Sequence, residues 1–165
     1  DQLDLVDLLS HVCDELMAAW PGRRIELVTS SKLCVLGNAA ELRSAISNLI
    51  VNALKYSEAP VSVRWSDTVV GPELLVEDQG PGIDSKHIPR LTERFYRVDK
   101  SRSQATGGTG LGLAIVKHVA VSHDAKLFID SELEKGSTFR LVFPNDRAVS
   151  CDVCSTECGR TDASQ

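Results

Sequence analysis

The pattern of apolar and polar positions changes period several times along this chain, and each change marks an element. Residues 4–19 (DLVDLLSHVCDELMAA) carry Leu5, Leu8, Leu9, Val12, Leu16 and Ala19 at helical spacing, and Pro21-Gly22 stops the run. Residues 24–29 (RIELVT) and 33–36 (LCVL) read as two short strands meeting around Ser30 and Ser31. Asn38 is placed to cap a long helix over 39–57, in which Leu42, Ile46, Leu49 and Ala53 form one stripe. Residues 61–65 (VSVRW) and 73–78 (ELLVED) predict strands separated by a Gly71-Pro72 turn. The stretch 79–110 has no sustained periodicity, and a loop that long in a compact domain is often functional. A helix over 111–123 and strands over 126–131 and 138–143 follow. From Pro144 onward the composition turns polar and order is expected to end. Helices and strands in this order predict a sheet covered on one face by helices.

Composition narrows the class. At 165 residues, 42% hydrophobic and 25% charged, the chain is long enough to bury a core without staples. Eighteen basic against twenty-three acidic side chains leave a net charge of −5, which argues against a general nucleic-acid binder. No apolar run approaches the ~20 residues that cross a bilayer, and Asp1, Asp4 and Asp7 stand where a signal peptide needs basic residues. This stretch is expected to be soluble and, lacking an initiator Met, to be part of a longer protein. Cys13 and Cys34 stand alone in apolar surroundings and read as small buried hydrophobes. Cys151, Cys154 and Cys158 lie close together in the polar tail. One C-x2-C, one further Cys and no later His fall short of a closed zinc site, so free thiols in a reducing compartment are expected.

Four segments carry candidate chemistry. In NLIVNALKYS (48–57), Asn48, Asn52 and Lys55 stack at i, i+4 and i+7 on a stripe separate from Leu49 and Ala53. Amide oxygens there suit Mg²⁺ and a lysine beside them suits a phosphate; a solvated polar face is the plainer alternative. In VEDQGPGI (76–83), Asp78 at a strand end can accept from a purine amine while Gly80 and Gly82 admit a flat ring, or the segment is a simple turn. In TGGTGLGLAIVKHV (106–119), Gly107, Gly108, Gly110 and Gly112 lead into a helix whose N–H groups can cradle phosphate oxygens. The spacing is that of neither the Walker loop nor the dinucleotide motif, and a linker is the alternative. Between these lies RLTERFYRVDKSRS (90–103), a locally basic segment that suits a small polyanion or forms a charged surface helix, with Phe95 and Tyr96 as packing anchors.

The order of these segments is the specific signal. Asn-x3-Asn-x2-Lys, Asp-x-Gly-x-Gly, Phe-Tyr-Arg, Gly-x-Gly-x-Gly and Gly-Ser-Thr-Phe resemble the N, G1, F, G2 and G3 boxes of the catalytic ATP-binding domain of sensor histidine kinases. The resemblance covers roughly 38–143. SAISNLIVNALKYS, LTERFYRVDKSRS and GGTGLGLAIVKHV are most similar to members that serve phosphate-starvation signalling.

That resemblance implies an α+β fold, the two-layer α/β sandwich called the Bergerat ATP-binding fold, with a mixed, mostly antiparallel sheet and three helices on one face. It implies a division into an N-terminal helix (1–22) leading from a dimerisation domain, a catalytic domain (23–144) and a polar, disordered tail (145–165). Asn52 would hold Mg²⁺ with Asn48 assisting, and Lys55 and Tyr56 would reach the phosphates or ribose. Asp78 would bond the adenine amine, with Gly80, Gly82 and Ile83 lining the base pocket and Thr138 supporting it. Residues 97–109 would form a lid bearing Arg97, Lys100, Gly108 and Thr109, and Gly110, Leu111, Gly112 and Leu113 would close on the triphosphate. The parent would be a homodimer anchored in the bacterial inner membrane, with this domain cytoplasmic, monomeric in isolation and served by a response regulator.

One position separates rival activities. Gyrase- and MutL-type ATPases and anti-sigma serine kinases of the same superfold carry a Glu four residues before the Mg²⁺ asparagine, a base that activates water or serine. Here that position is Asn48, which favours transfer to a histidine over hydrolysis. The alternative is an ATPase or nucleotide-binding module of the same superfold without kinase activity. An acceptor histidine in this family is followed by Glu or Asp. Only His123 (followed by Asp124) fits, and at the end of the third helix it reads as surface or packing. The chain is therefore expected to bind ATP–Mg²⁺ without phosphorylating itself.

Overall fold

Helix α1 (Leu5–Ala19) starts where Asp4 accepts hydrogen bonds from the N–H groups of Val6 and Asp7, and it buries Leu5, Leu9, Val12 and Cys13. The computed structural model describes residues 1–96 and 111–151. Gly22, at φ +80°, makes the turn that follows α1. Helix α2 (Ala39–Tyr56) is capped by Asn38, whose side chain accepts from the Glu41 N–H, and it buries Leu42, Ala45, Ile46, Leu49, Ile50, Ala53 and Leu54. Helix α3 (Gly112–Ser122) buries Val116, Val119 and Ala120. The three inward stripes share one core with the sheet, which includes Trp65, Phe139 and Leu141.

The strands are β1 (Gln2–Leu3), β2 (Ile25–Thr29), β3 (Leu33–Leu36), β4 (Val61–Asp67), β5 (Pro72–Asp78), β6 (Lys126–Glu132), β7 (Gly136–Val142) and β8 (Ala148–Ser150). Five of them form the main sheet in the order β2-β4-β5-β7-β6. β2 runs parallel to β4, and the other neighbours are antiparallel. Burial alternates along β4, where Val61, Val63 and Trp65 face the helices and Arg64 faces away. On β5 the same alternation turns Leu74, Val76 and Asp78 toward the helix-covered side. A carboxylate therefore occupies the last inward position of a core strand.

The expected elements are present with small shifts at their ends, and two expectations fail. β2 and β3 do not pair around Ser30 and Ser31. The N–H groups of Ser30 and Ser31 donate instead to the Trp65 carbonyl, Ser31 Oγ accepts the Leu33 N–H, and β3 leaves for a second sheet of order β1-β3-β8. Nor does order end at Pro144. A short 3-10 turn (Asn145–Arg147) leads into β8, which pairs antiparallel with β3 from Leu33↔Ser150 to Val35↔Ala148.

That pairing also corrects the reading of two cysteines. Cys34 is bonded to Cys151 across a sequence separation of 117, with 5.4 Å between their α-carbons. Cys34 is therefore not a lone buried hydrophobe, and Cys151 is not a free thiol. Cys154 and Cys158 lie outside the described residues. Among the described residues no group of three or more His, Cys, Asp or Glu side chains is placed to hold a metal, and no helix is long and apolar enough to cross a membrane. His123 is a packing residue, 2% exposed. Its Nε2 accepts the Asn38 N–H at 3.0 Å, while Nδ1 lies 2.8 Å from the Val119 carbonyl, so the end of α3 is fastened to the cap of α2.

Candidate functional site

The polar stripe of α2 begins at Asn48, which is half-buried and donates through Nδ2 to the Ser44 carbonyl at 2.8 Å. Its other amide atom, Oδ1, faces the start of α3. A β-carbon on Gly112 would stand 3.0 Å from it, so the glycine lets the helix N-terminus approach the amide. Leu111, at the cap position, makes no side-chain capping bond. The first-turn N–H groups of an α-helix have no partner within the helix, and such a terminus is the usual electrostatic setting for an anion. Leu111 and Leu113 are half-buried on either side of Gly112.

Asn52 and Lys55 continue the stripe, both half-buried, and Tyr56 closes it at 44% exposure. From Asn48 to Tyr56 the stripe spans about 12 Å at the helical rise. The end of the helix is held by Arg23, whose guanidinium donates to the Leu54 carbonyl at 2.7 Å and to the Ser57 carbonyl. A cavity of about 450 Å³ opens beside Arg23, lined by Trp20, Leu54, Lys55, Tyr56, Ser57 and Glu58, and neither Asn52 nor Asp78 lines it.

Asp78 reaches the same end of α2 from the sheet. It is 4% exposed, and its Oδ1 accepts the Gly80 N–H at 2.9 Å. Burial pushes its carboxyl pKa up, opposed by backbone hydrogen bonds from Gly80 and Ser137 and assisted by the neighbouring charge of Glu77. Two glycines close on it. A β-carbon on Gly80 would stand 2.2 Å from the Tyr56 carbonyl oxygen, and one on Gly136 (φ +103°) would stand 2.1 Å from the Asp78 carbonyl oxygen. Gly82 packs in the same way against the Glu132 carbonyl, and the Ile83 N–H donates to Ser131 Oγ at 2.7 Å. The loop after β5 therefore lies between the end of α2 and the β6–β7 turn.

Thr138 is not beside Asp78. In the β5–β7 ladder Thr138 faces Glu77 and Ser137 faces Asp78, so Thr138 shares the outer face with Glu77, an exposed residue, and the inward neighbour is Ser137. Ser137 is 4% exposed and shares a 2.7 Å hydrogen bond with Ser131 Oγ. A shift of one residue along a strand reverses the face. Counting back in twos from Leu141 and Phe139 reaches Ser137, the signal that identifies it. Arg97, Lys100, Gly108, Thr109 and Gly110, with the rest of the expected lid, lie outside the described residues. Before them, Tyr96 is held by a hydrogen bond between its hydroxyl and His87 Nδ1 and by the Arg90 guanidinium 4.5 Å from its ring centre.

The described part of the site is thus one continuous set of contacts. Gly112 meets Asn48, α2 runs from Asn48 to Tyr56, Tyr56 meets Gly80, and Gly80 meets Asp78. A buried acceptor, a row of amides and a helix N-terminus are the polar complement of a purine nucleotide.

Comparison with known proteins agrees. Residues 37–147 match the histidine kinase-, DNA gyrase B-, and HSP90-like ATPase family. The chain is 51% identical over 140 residues to the phosphate regulon sensor protein PhoR of Pseudomonas aeruginosa, an alignment that covers 82% of this chain and 32% of that protein. It therefore spans about a third of the length of that curated relative. Among solved structures, a mycobacterial sensor histidine kinase, MprB, superposes with a TM-score of 0.76 at 28% identity, covering 87% of this chain and 96% of that one. Full-length ShkA in complex with AMPPNP superposes with a TM-score of 0.74 at 30% identity, covering 92% of this chain and 31% of that one. The chain belongs to the histidine kinase-, DNA gyrase B- and HSP90-like ATPase family.

Proposed function

We propose that this chain is the catalytic ATP-binding domain of a sensor histidine kinase in phosphate-starvation signalling, passing the γ-phosphoryl group of ATP to a histidine on a separate dimerisation domain of the same parent. The observation that supports the reading is the close approach of Gly80, whose N–H is bonded to Asp78, to the Tyr56 carbonyl at the end of the helix that carries Asn48 and Asn52.

Asp78 accepts from the exocyclic amine of adenine, and its burial makes an unpaired partner costly, which favours adenine over a base with a carbonyl there. Ser137 pairs with it across the ladder, and Gly80 and Gly82 let the loop after β5 close on the Tyr56 and Glu132 carbonyls and so fix its course past Asp78. Lys55 and the first turn of α3 neutralise phosphate charge. Mg²⁺ fits the donor set at hand, since the neutral amide oxygens of Asn52 and Asn48 suit a hard cation, and it would screen the charge of the phosphates. Asn48 cannot take a proton, so catalysis rests on positioning and charge neutralisation, and the acceptor imidazole supplies its own nucleophilic nitrogen. Residues 97–110 contribute Arg97, Lys100 and the glycine flap in this reading.

The remaining proposals concern the parent protein. It is a homodimer anchored in the bacterial inner membrane, this domain is cytoplasmic, a response regulator receives the phosphoryl group, and nucleic acid is not a partner. The test is transfer in trans. Mixed with ATP, Mg²⁺ and a dimerisation domain of the phosphate-regulon type, the chain is expected to yield acid-labile phosphohistidine on the added domain and none on itself. Steady ATP hydrolysis without phosphohistidine would instead support a hydrolase of the same superfold.

A further inference from the structure

We propose that Cys34 and Cys151 form a thiol–disulfide exchange site that fastens and releases the last strand of the small sheet. The pairing of β3 with β8 sets the two sulfurs together, with Cys34 opposite Val149 and Cys151 one residue past the Leu33↔Ser150 pair. Cys34 is 4% exposed while Cys151 is half-buried, so attack by an incoming thiolate is assigned to the Cys151 sulfur. Cys13, the free cysteine among the described residues, is a poor rival: burial, with help from Asp14, pushes its thiol pKa up to about 11.

The exchange partner is a low-molecular-weight thiol or its disulfide. A thiolate RS⁻ attacks Cys151 Sγ, the Cys34–Cys151 bond breaks, and Cys34 leaves as a thiolate. A second RS⁻ attacks the outer sulfur of the mixed disulfide, releasing RSSR and the Cys151 thiolate. Two protons from solvent complete the dithiol, so the protein gains the two electrons that 2 RSH lose. The reverse sequence, driven by RSSR, closes the bond. In the cytoplasmic setting proposed above such a bond is exchangeable rather than permanent, but the site itself owes nothing to the nucleotide reading.

The strand it holds is wired to α2. Arg147, just before β8, donates to the Leu36 carbonyl at 3.3 Å and pairs with Asp124 at 3.0 Å. Two residues after Leu36, Asn38 caps α2 and gives its N–H to His123, the neighbour of Asp124. Gln2 Nε2 reaches the Ser150 carbonyl from β1 at 3.3 Å. Releasing β8 thus loosens the edge of β3 and the start of the helix that carries Asn48 and Asn52.

The test equilibrates the full chain with oxidised or reduced glutathione, then measures cross-linked peptides by mass spectrometry, hydrogen exchange and melting. Under oxidised glutathione a peptide linking Cys34 to Cys151 is expected. Reduction should lower Tm by roughly 5–15 °C and speed exchange at 33–36, 38–44 and 148–150, leaving β4 and β5 protected. Cys151→Ser should match the reduced protein in both conditions, and Cys34→Ser serves as a second variant. The proposal is overturned by linkage only among other cysteines, by equal melting and exchange in both redox states, or by a Cys151→Ser protein that still responds as the wild type does.

Discussion

Gly80 lies so close to Tyr56 that a β-carbon on the glycine would stand 2.2 Å from the tyrosine's carbonyl oxygen. The obstacle is backbone at the end of a core helix, so it cannot swing aside. Gly80→Ala must therefore push the loop bearing the Asp78 contact away from α2. The expected result is a destabilisation of about 1–3 kcal/mol and a loss of nucleotide affinity of at least tenfold. Calorimetry and titration with a fluorescent ATP analogue measure the two effects separately, and normal affinity in the folded variant would show that the join is incidental.

Asp78 carries opposite consequences for binding and for stability. Asp78→Ala removes the acceptor for the adenine amine and should cost roughly 1–3 kcal/mol of affinity, with GTP losing less than ATP. Burial raises the carboxyl pKa in the folded protein, so the folded state holds its proton to higher pH than the unfolded chain does. The stability tied to that proton is complete below the ordinary aspartate range and is lost as pH rises through the raised value. Asp78→Asn, which cannot ionise, should then gain in Tm relative to wild type as pH rises from below the aspartate range toward neutrality. A constant difference across that interval would show that the carboxylate is not penalised by burial.

Ser137 and Thr138 give a test within one dipeptide. Ser137 is the inward partner of Asp78, and Thr138 stands on the outer face opposite Glu77. Ser137→Ala should weaken nucleotide binding severalfold and free Ser131 from its hydroxyl partner, while Thr138→Ala should change affinity less than twofold. The reverse ranking, read by the same titration, would mean that the register of β7 differs from the one described.

Asn52 should separate metal from nucleotide. Asn52→Ala is expected to bind ATP as wild type does in EDTA and to gain little on adding Mg²⁺, whereas wild type gains strongly. If both proteins respond equally to the metal, Asn52 does not hold it.

How far these features were legible in the chain follows from the range of the interactions behind them. The stripe on α2 repeats every turn, and the inward phase of Asp78 follows from Leu74 and Val76, so local periodicity places both. Gly112 and Gly80 were recognisable as glycines near a site, but the carbonyl or amide each one faces belongs to α2, far away in sequence. The inward phase of Ser137 is legible only by counting back from Leu141 and Phe139, because Gly136-Ser137-Thr138 itself carries no apolar alternation. The Cys34–Cys151 bond and the β3–β8 pairing join segments 117 residues apart, and nothing in either short strand names its partner. Polar residues after Pro144 carry no periodicity that would signal a further strand. They are nevertheless ordered by Arg147, which draws on the Leu36 carbonyl and Asp124.

The most direct measurement is an amide NMR titration of the chain with a non-hydrolysable ATP analogue and Mg²⁺. The largest shifts are expected together at Asn48, Asn52, Asp78, Gly80 and the first turn of α3, saturating at one nucleotide per chain. Shifts confined to the cavity around Trp20, Arg23 and Glu58, or Asp78 and Asn52 responding with different affinities, would contradict the proposed site.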